Sequence, residues 1–222
     1  MKLGFIGAGE MGGAIIRGLL KSGWPKEGII ASVHSSSSAE RLQGEFGICA
    51  GTQNRQTVTE ADMLFIAVKP GVVPQVLEEI RSSGAAAKPV ICMALGWTLE
   101  KLQAALPGWP VVRIMPNTPL ALGEGVTLFA FGKDISASQR ADAQAVFARL
   151  GQTVELPEAL FDAGTAVSGS GSAFVYYFID ALAKAGVAQG LPPEQAVTLA
   201  VQTTVGAAKM VEHEHIPPAE LA

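Results

Sequence analysis

Short apolar runs alternate with segments of helical period from the first residues onward. Lys2 to Ile6 reads as a strand, and Glu10 to Ser22 then carries Met11, Ile15 and Leu19 at helical spacing before stopping at Gly23. The same alternation continues with a strand over 28–34, a helix over 37–46 and a strand over 47–51. A buried strand over 61–70 ends at Lys69 and Pro70 and is followed by a helix over 72–83. A strand over 88–95, a helix over 98–106 with Thr98 as N-cap, and a strand over 110–116 complete the series. Near-continuous apolar strands separated by helices predict an α/β fold with a doubly wound parallel sheet covered on both faces. An added strand over 124–132, a capped amphipathic helix over 136–151 and a last strand over 153–157 close a first domain, 1–161.

From Phe161 the pattern changes to helix without strands. Ser172 to Gly190 is apolar on nearly every side, and the next helix opens on a proline and carries Val197, Val201, Val205 and Ala208 on one stripe. Two such helices cannot cover each other completely. A smaller all-helical domain over 162–222 that docks in a homo-oligomer is therefore expected. The chain stops at "PPAELA", which reads as the start of another helix, so this domain is expected to be incomplete.

Composition narrows the partners. A net charge of -4, with no cluster of Lys and Arg, argues against nucleic acid. No apolar run is long enough to span a bilayer, and the N-terminus enters a strand pattern directly, so a cytoplasmic protein without a membrane partner is expected. Cys49 and Cys92 lie in short apolar runs and read as buried thiols. Glu212 to His215 reads as a solvated helix end, since residues two apart on a helix point to different sides; no metal is expected.

The candidate chemistry begins at "FIGAGEMGGAI", where Gly7, Gly9 and Gly12 follow an apolar strand and open a helix. That context suits a dinucleotide. The first glycine permits a tight turn, the second lets the backbone approach a pyrophosphate, and the third allows close packing of helix on strand. The helix N-terminus offers free N–H groups to the phosphates. Glu10 is discordant, because a carboxylate suits a pyrophosphate only if it points to solvent. Residues 29–39 contain no Asp or Glu to hold the ribose 2′-hydroxyl of NAD, and a loop of hydroxyls with His34 before it and Arg41 after it suits a 2′-phosphate. NADP(H) is favoured over NAD(H). The strand ends near Asn54, at Ala67 to Gly71, Cys92 to Gly96 and Met115 to Pro119 should line the cofactor cleft.

"FIGAGEMGGAII", "AVKP", "MPNTP", "SGSGSAF" and "GAAKM", in this order and spacing, resemble pyrroline-5-carboxylate reductase over essentially the whole chain. The resemblance implies a Rossmann domain joined to a helical domain that forms an intertwined dimer, and reduction of 1-pyrroline-5-carboxylate to L-proline with NADPH, NADH being possible. It places Ile6, Gly7, Ala8, Gly9, Glu10, Met11 and Gly12 on the pyrophosphate, and Ser35 with Ser36 on the adenosine ribose or its phosphate. Asn54 would contact the adenosine side, while Ala67, Val68, Lys69 and Pro70, with Met93, Ala94 and Leu95, would lead toward the nicotinamide. Asn117, Ser168 and Ser170 would face the substrate. The family usually carries a further segment, rich in Ser, Pro, Gly and Thr, that binds the substrate carboxylate, and this chain stops before it.

The scarcity of acid–base groups fits that chemistry. A cyclic imine exists partly as its iminium near neutral pH, so the protein mainly has to align it and exclude water. A hydroxyacid dehydrogenase would need a Lys and an Asn on the helix after the glycine-rich stretch, and "SGSGSAFVYYFIDAL" has neither. Tyr176 and Tyr177 read as packing, and Asp180 with Lys184 as an i,i+4 pair. A non-catalytic NADP-binding sensor is the reading from another class.

Overall fold

Alternate residues of the central strands feed two different cores, which is what a sheet covered on both faces requires. In β1 (Leu3–Ile6), Leu3 and Phe5 join one apolar cluster and Ile6 the other; in β4 (Met63–Ile66), Met63 and Phe65 oppose Leu64 and Ile66 in the same way. The Phe5 and Phe65 rings stack with centroids 4.6 Å apart on the first face.

The strands form one sheet in the order β3-β2-β1-β4-β5-β6-β7-β8. β2 (Ile29–Ser32) and β3 (Cys49–Gly51) lie on one side of β1 and β4, β5 (Val90–Cys92) and β6 (Val111–Pro116) on the other, all parallel. The chain thus reverses direction of winding between β1 and β4, and the carboxyl ends of those two strands open a crevice. β7 (Gly125–Phe131) runs antiparallel to β6, because only a short 3-10 turn over Thr118–Leu122 joins them, and β8 (Gly151–Glu155) returns parallel to β7.

The connecting helices are α1 (Glu10–Lys21), α2 (Ser36–Phe46), α3 (Asn54–Glu60), α4 (Val73–Ser82), α5 (Leu99–Ala105) and α6 (Ala137–Ala148). Thr98 caps α5 as expected, accepting from the Lys101 N–H, and Ser136 with Gln139 forms a capping box at α6. α3 was not expected, and β4 ends at Ile66 rather than at Lys69. Cys49 corrects the expectation of two buried thiols: it is exposed at the sheet edge, whereas Cys92 is buried.

The computed structural model describes every residue except His215, so the expected helix end over 212–215 is seen only as far as Glu214, and His215 lies outside the described residues. By contact density the chain divides into Met1–Gly169 and Ser170–Ala222. The pattern change at Phe161 therefore precedes the break between units. Phe161, opening the short α7 (Phe161–Gly164), is fully buried against Met115, Leu128 and Ala130 and lies under the Arg113 guanidinium, 4.7 Å from its ring centroid. Arg113 is also paired with Glu158 at 2.8 Å. These contacts hold α7 and the π-turn that follows, Thr165–Gly169, to the first unit.

The second unit consists of α8 (Gly171–Ala188), α9 (Pro193–Glu214) and α10 (Pro218–Leu221). α8 and α9 meet through small residues, Ala183 on one and Ala196 and Ala200 on the other. The Val197, Val201 and Val205 stripe is exposed, as are Phe174, Tyr176, Tyr177 and Phe178, so these tyrosines do not pack within the unit. Asp180 and Lys184 form the expected pair at 2.7 Å. Among the described residues no helix is long and apolar enough to cross a membrane, and no group of His, Cys, Asp or Glu could hold a metal.

Candidate functional site

The turn after β1 is shaped by its glycines. Gly7 has φ +86°, and a Cβ there would lie 2.7 Å from the Ala67 carbonyl oxygen; a Cβ on Gly12 would lie 3.0 Å from that of Ala67. These two positions draw β1, α1 and the loop after β4 together. Gly9 is different, since a Cβ on it would meet nothing within 4 Å, and no side chain caps the N-terminus of α1. No side chain takes up the backbone N–H groups of the first turn, the arrangement that receives a phosphate.

Two lobes of a cleft lie on either side of this turn and share Val68. The larger, about 440 Å³, is lined by Ile6, Gly7, Ser32, His34, Asn54 and Arg55 among others. The smaller, about 260 Å³, is lined by Met11, Ala67, Val68, Pro70, Met93, Ala94, Leu95, Met115 and Pro116, none of them titratable. Glu10 is exposed and lines a separate hollow with Arg17, Arg41 and Glu45.

Several expected residues lie elsewhere than their spacing implied. Ser35 and Ser36 line neither lobe: the Ser35 hydroxyl accepts from the Ser38 N–H and bonds the Ser37 and Ser38 hydroxyls, because it is the N-cap of α2. Arg41 faces the outer hollow instead of His34's lobe, and Lys69 is exposed outside both lobes. Arg55 is not singled out by the sequence, which announces no helix over 54–60; its only signal is a basic residue just after a strand end.

Asn117 is buried at the end of β6. Its Nδ2 donates to the Ser168 carbonyl at 3.2 Å and its Oδ1 accepts from the Val126 N–H at 2.9 Å. The amide thus pins the π-turn to the strand end that carries Pro116 into the smaller lobe. The Ser168 hydroxyl turns back to the Gly164 carbonyl at 3.0 Å, while Ser170 is the N-cap residue of α8 without a side-chain cap bond. On the other side of the lobe, the Trp97 indole N–H donates to the Pro70 carbonyl at 3.1 Å and ties the loop after β5 to the loop after β4.

A glycine turn at the switch point of a parallel sheet, flanked by two hollows, defines an α/β fold of the dinucleotide-binding class. Comparisons with known proteins make this specific. Residues 158–222 match the model of pyrroline-5-carboxylate reductase dimerisation, and residues 2–96 match that of NADP oxidoreductase coenzyme F420-dependent. A pyrroline-5-carboxylate reductase of Methanosarcina acetivorans is 39% identical over 99% of this chain and 82% of its own, and one of Arabidopsis thaliana is 38% identical over 95% and 76%. The crystal structure of Plasmodium falciparum pyrroline carboxylate reductase with NADP bound superposes with a TM-score of 0.90, 30% identity, and coverage of 100% of this chain and 82% of that one. The chain belongs to the pyrroline-5-carboxylate reductase family.

Proposed function

We propose that this protein reduces the C=N bond of 1-pyrroline-5-carboxylate to L-proline at the expense of NADPH, the last step of proline biosynthesis. The observation that carries this reading is the smaller lobe, built entirely from side chains that neither donate nor accept a proton. Such a lobe suits a substrate that arrives with its proton in place, as an iminium does, and does not suit a carbonyl, whose oxygen needs a proton donor. NADPH, when bound, supplies the hydride that adds to the iminium carbon while the C=N electron pair settles on nitrogen.

The chain's own residues position and enclose. The open turn at Gly9 and the uncapped N-terminus of α1 are assigned to the pyrophosphate, within the segment Ile6 to Gly12. The lobe of His34, Asn54 and Ser32 is assigned to the adenosine half. Ala67, Val68 and Pro70 on one side, and Met93, Ala94 and Leu95 on the other, are assigned to the nicotinamide half, where their apolar walls exclude water. Asn117, Ser168 and Ser170 are assigned to the substrate side. For Asn117 the bonds to Ser168 and Val126 support a positioning role. The match of 158–222 to a dimerisation model and the exposed apolar faces of α8 and α9 support a homodimer.

The test is loss of the nicotinamide absorbance band when 1-pyrroline-5-carboxylate is added to protein and NADPH. Steady consumption with proline as product is expected. Binding of NADPH without substrate-dependent consumption would make the protein a sensor and sink the reductase reading.

A further inference from the structure

The adenosine-side lobe contains a cation that neither the glycine turn nor the serine loop explains. Arg55, in the first turn of α3, lines the lobe beside His34, and its guanidinium makes no hydrogen bond or ion pair among the described residues. Beneath it in the same lobe the Ser32 side chain is 1% exposed, yet its hydroxyl has no hydrogen-bond partner. A buried hydroxyl is ordinarily satisfied, and this one, closed off in the wall of the lobe, is an exception.

The neighbouring groups fix what kind of ligand. Glu79 lines the lobe too, but its two oxygens accept from Asn54 Nδ2 at 2.5 Å and Gln75 Nε2 at 2.8 Å, which turns its carboxylate to the amides. The Ser35 hydroxyl is committed to capping α2. Arg55 is left as the permanently charged cation of the lobe, with His34, Thr52 and Gln53 as neighbouring side chains able to donate. A guanidinium is planar, always charged and matched to phosphate in a two-pronged pair that a single hydroxyl cannot imitate.

We propose that Arg55 is the specificity-determining residue for the phosphorylated dinucleotide: its guanidinium pairs with the phosphate on the adenosine ribose. This deepens the reductase reading by naming how NADPH is told from NADH, and the binding preference it predicts can be measured without turnover.

The experiment measures dissociation constants of adenosine 2′,5′-bisphosphate and 5′-AMP by titration calorimetry on wild type, R55A, R55Q and R55K, alongside KM for NADPH and NADH. Because the Arg55 side chain is exposed and without a protein partner, these variants should fold, and R55Q keeps the stem as a second check. R55A and R55Q should weaken the bisphosphate about tenfold or more while 5′-AMP and the NADH KM stay within about twofold, and R55K should recover part of the loss. Equal weakening of both nucleotides, or no change in either, overturns the assignment. A wild type that prefers the bisphosphate through Arg55 but consumes no NADPH with pyrroline-5-carboxylate would overturn the reductase reading and leave this one standing.

Discussion

Asn117 shows how one amide can tie two segments together at a strand end. Its nitrogen and oxygen bridge the π-turn and the start of β7, so Asn117→Ala removes the partner of the half-buried Ser168 carbonyl and of the half-buried Val126 N–H. A loss of about 1–3 kcal/mol is expected in urea unfolding, with an unchanged slope. Cys92 gives a second residue-scale expectation. Burial pushes its thiol up to about 11 from 9.0, opposed by a hydrogen bond from the Ala94 backbone and by the Arg113 charge. The folded state therefore keeps a proton that the unfolded chain releases. Stability from this group is complete below about 9 and declines as pH rises toward 11. Cys92→Ala should flatten that decline in unfolding curves, and a thiol reagent should label exposed Cys49 in the native protein while sparing Cys92.

At the scale of elements, what was legible depended on whether an element's reason for existing is local. α6 is announced by Ser136 three positions before Gln139, and the capping box forms; Ser136→Ala should cost about 1 kcal/mol of stability in urea unfolding, and no measurable loss would deny the cap its role. α3 is not announced. It buries only Thr57 and Val58, too little for a helical stripe, and its last turn is held from afar: Lys88 Nζ donates to the Val58 carbonyl at 2.8 Å and the Ala61 carbonyl at 2.6 Å, and Lys2 pairs with Glu60 at 2.5 Å. Those partners are distant in sequence. Because α3 is not announced, neither is Arg55, and the residue pattern around the second strand points to Arg41, which faces the outer hollow.

At the scale of the whole molecule the helical unit sets the expectation. Its internal contact uses alanines, while Val197, Val201, Val205 and the aromatic face of α8 remain exposed. A monomer rarely shows so much contiguous apolar surface. Val201→Asp should shift sedimentation toward the monomer at concentrations where the wild type is associated, with the helical content unchanged; an unaltered profile would remove that face from the interface.

The chain's own pattern determined the alternation of strand and helix, the glycine turn, the absence of an acidic ribose partner and the change to an all-helical unit, because each rests on neighbours within one turn or one strand. The tertiary structure decided which polar groups reach the cleft. Ser35 became the cap of α2, Asn117 was buried with its amide bonded to Ser168 and Val126, and α3 carried Arg55 to the lobe where Ser32 stands unpartnered. A side chain's availability depends on the hydrogen bonds it has already made, and those run to segments that spacing along the chain does not bring together.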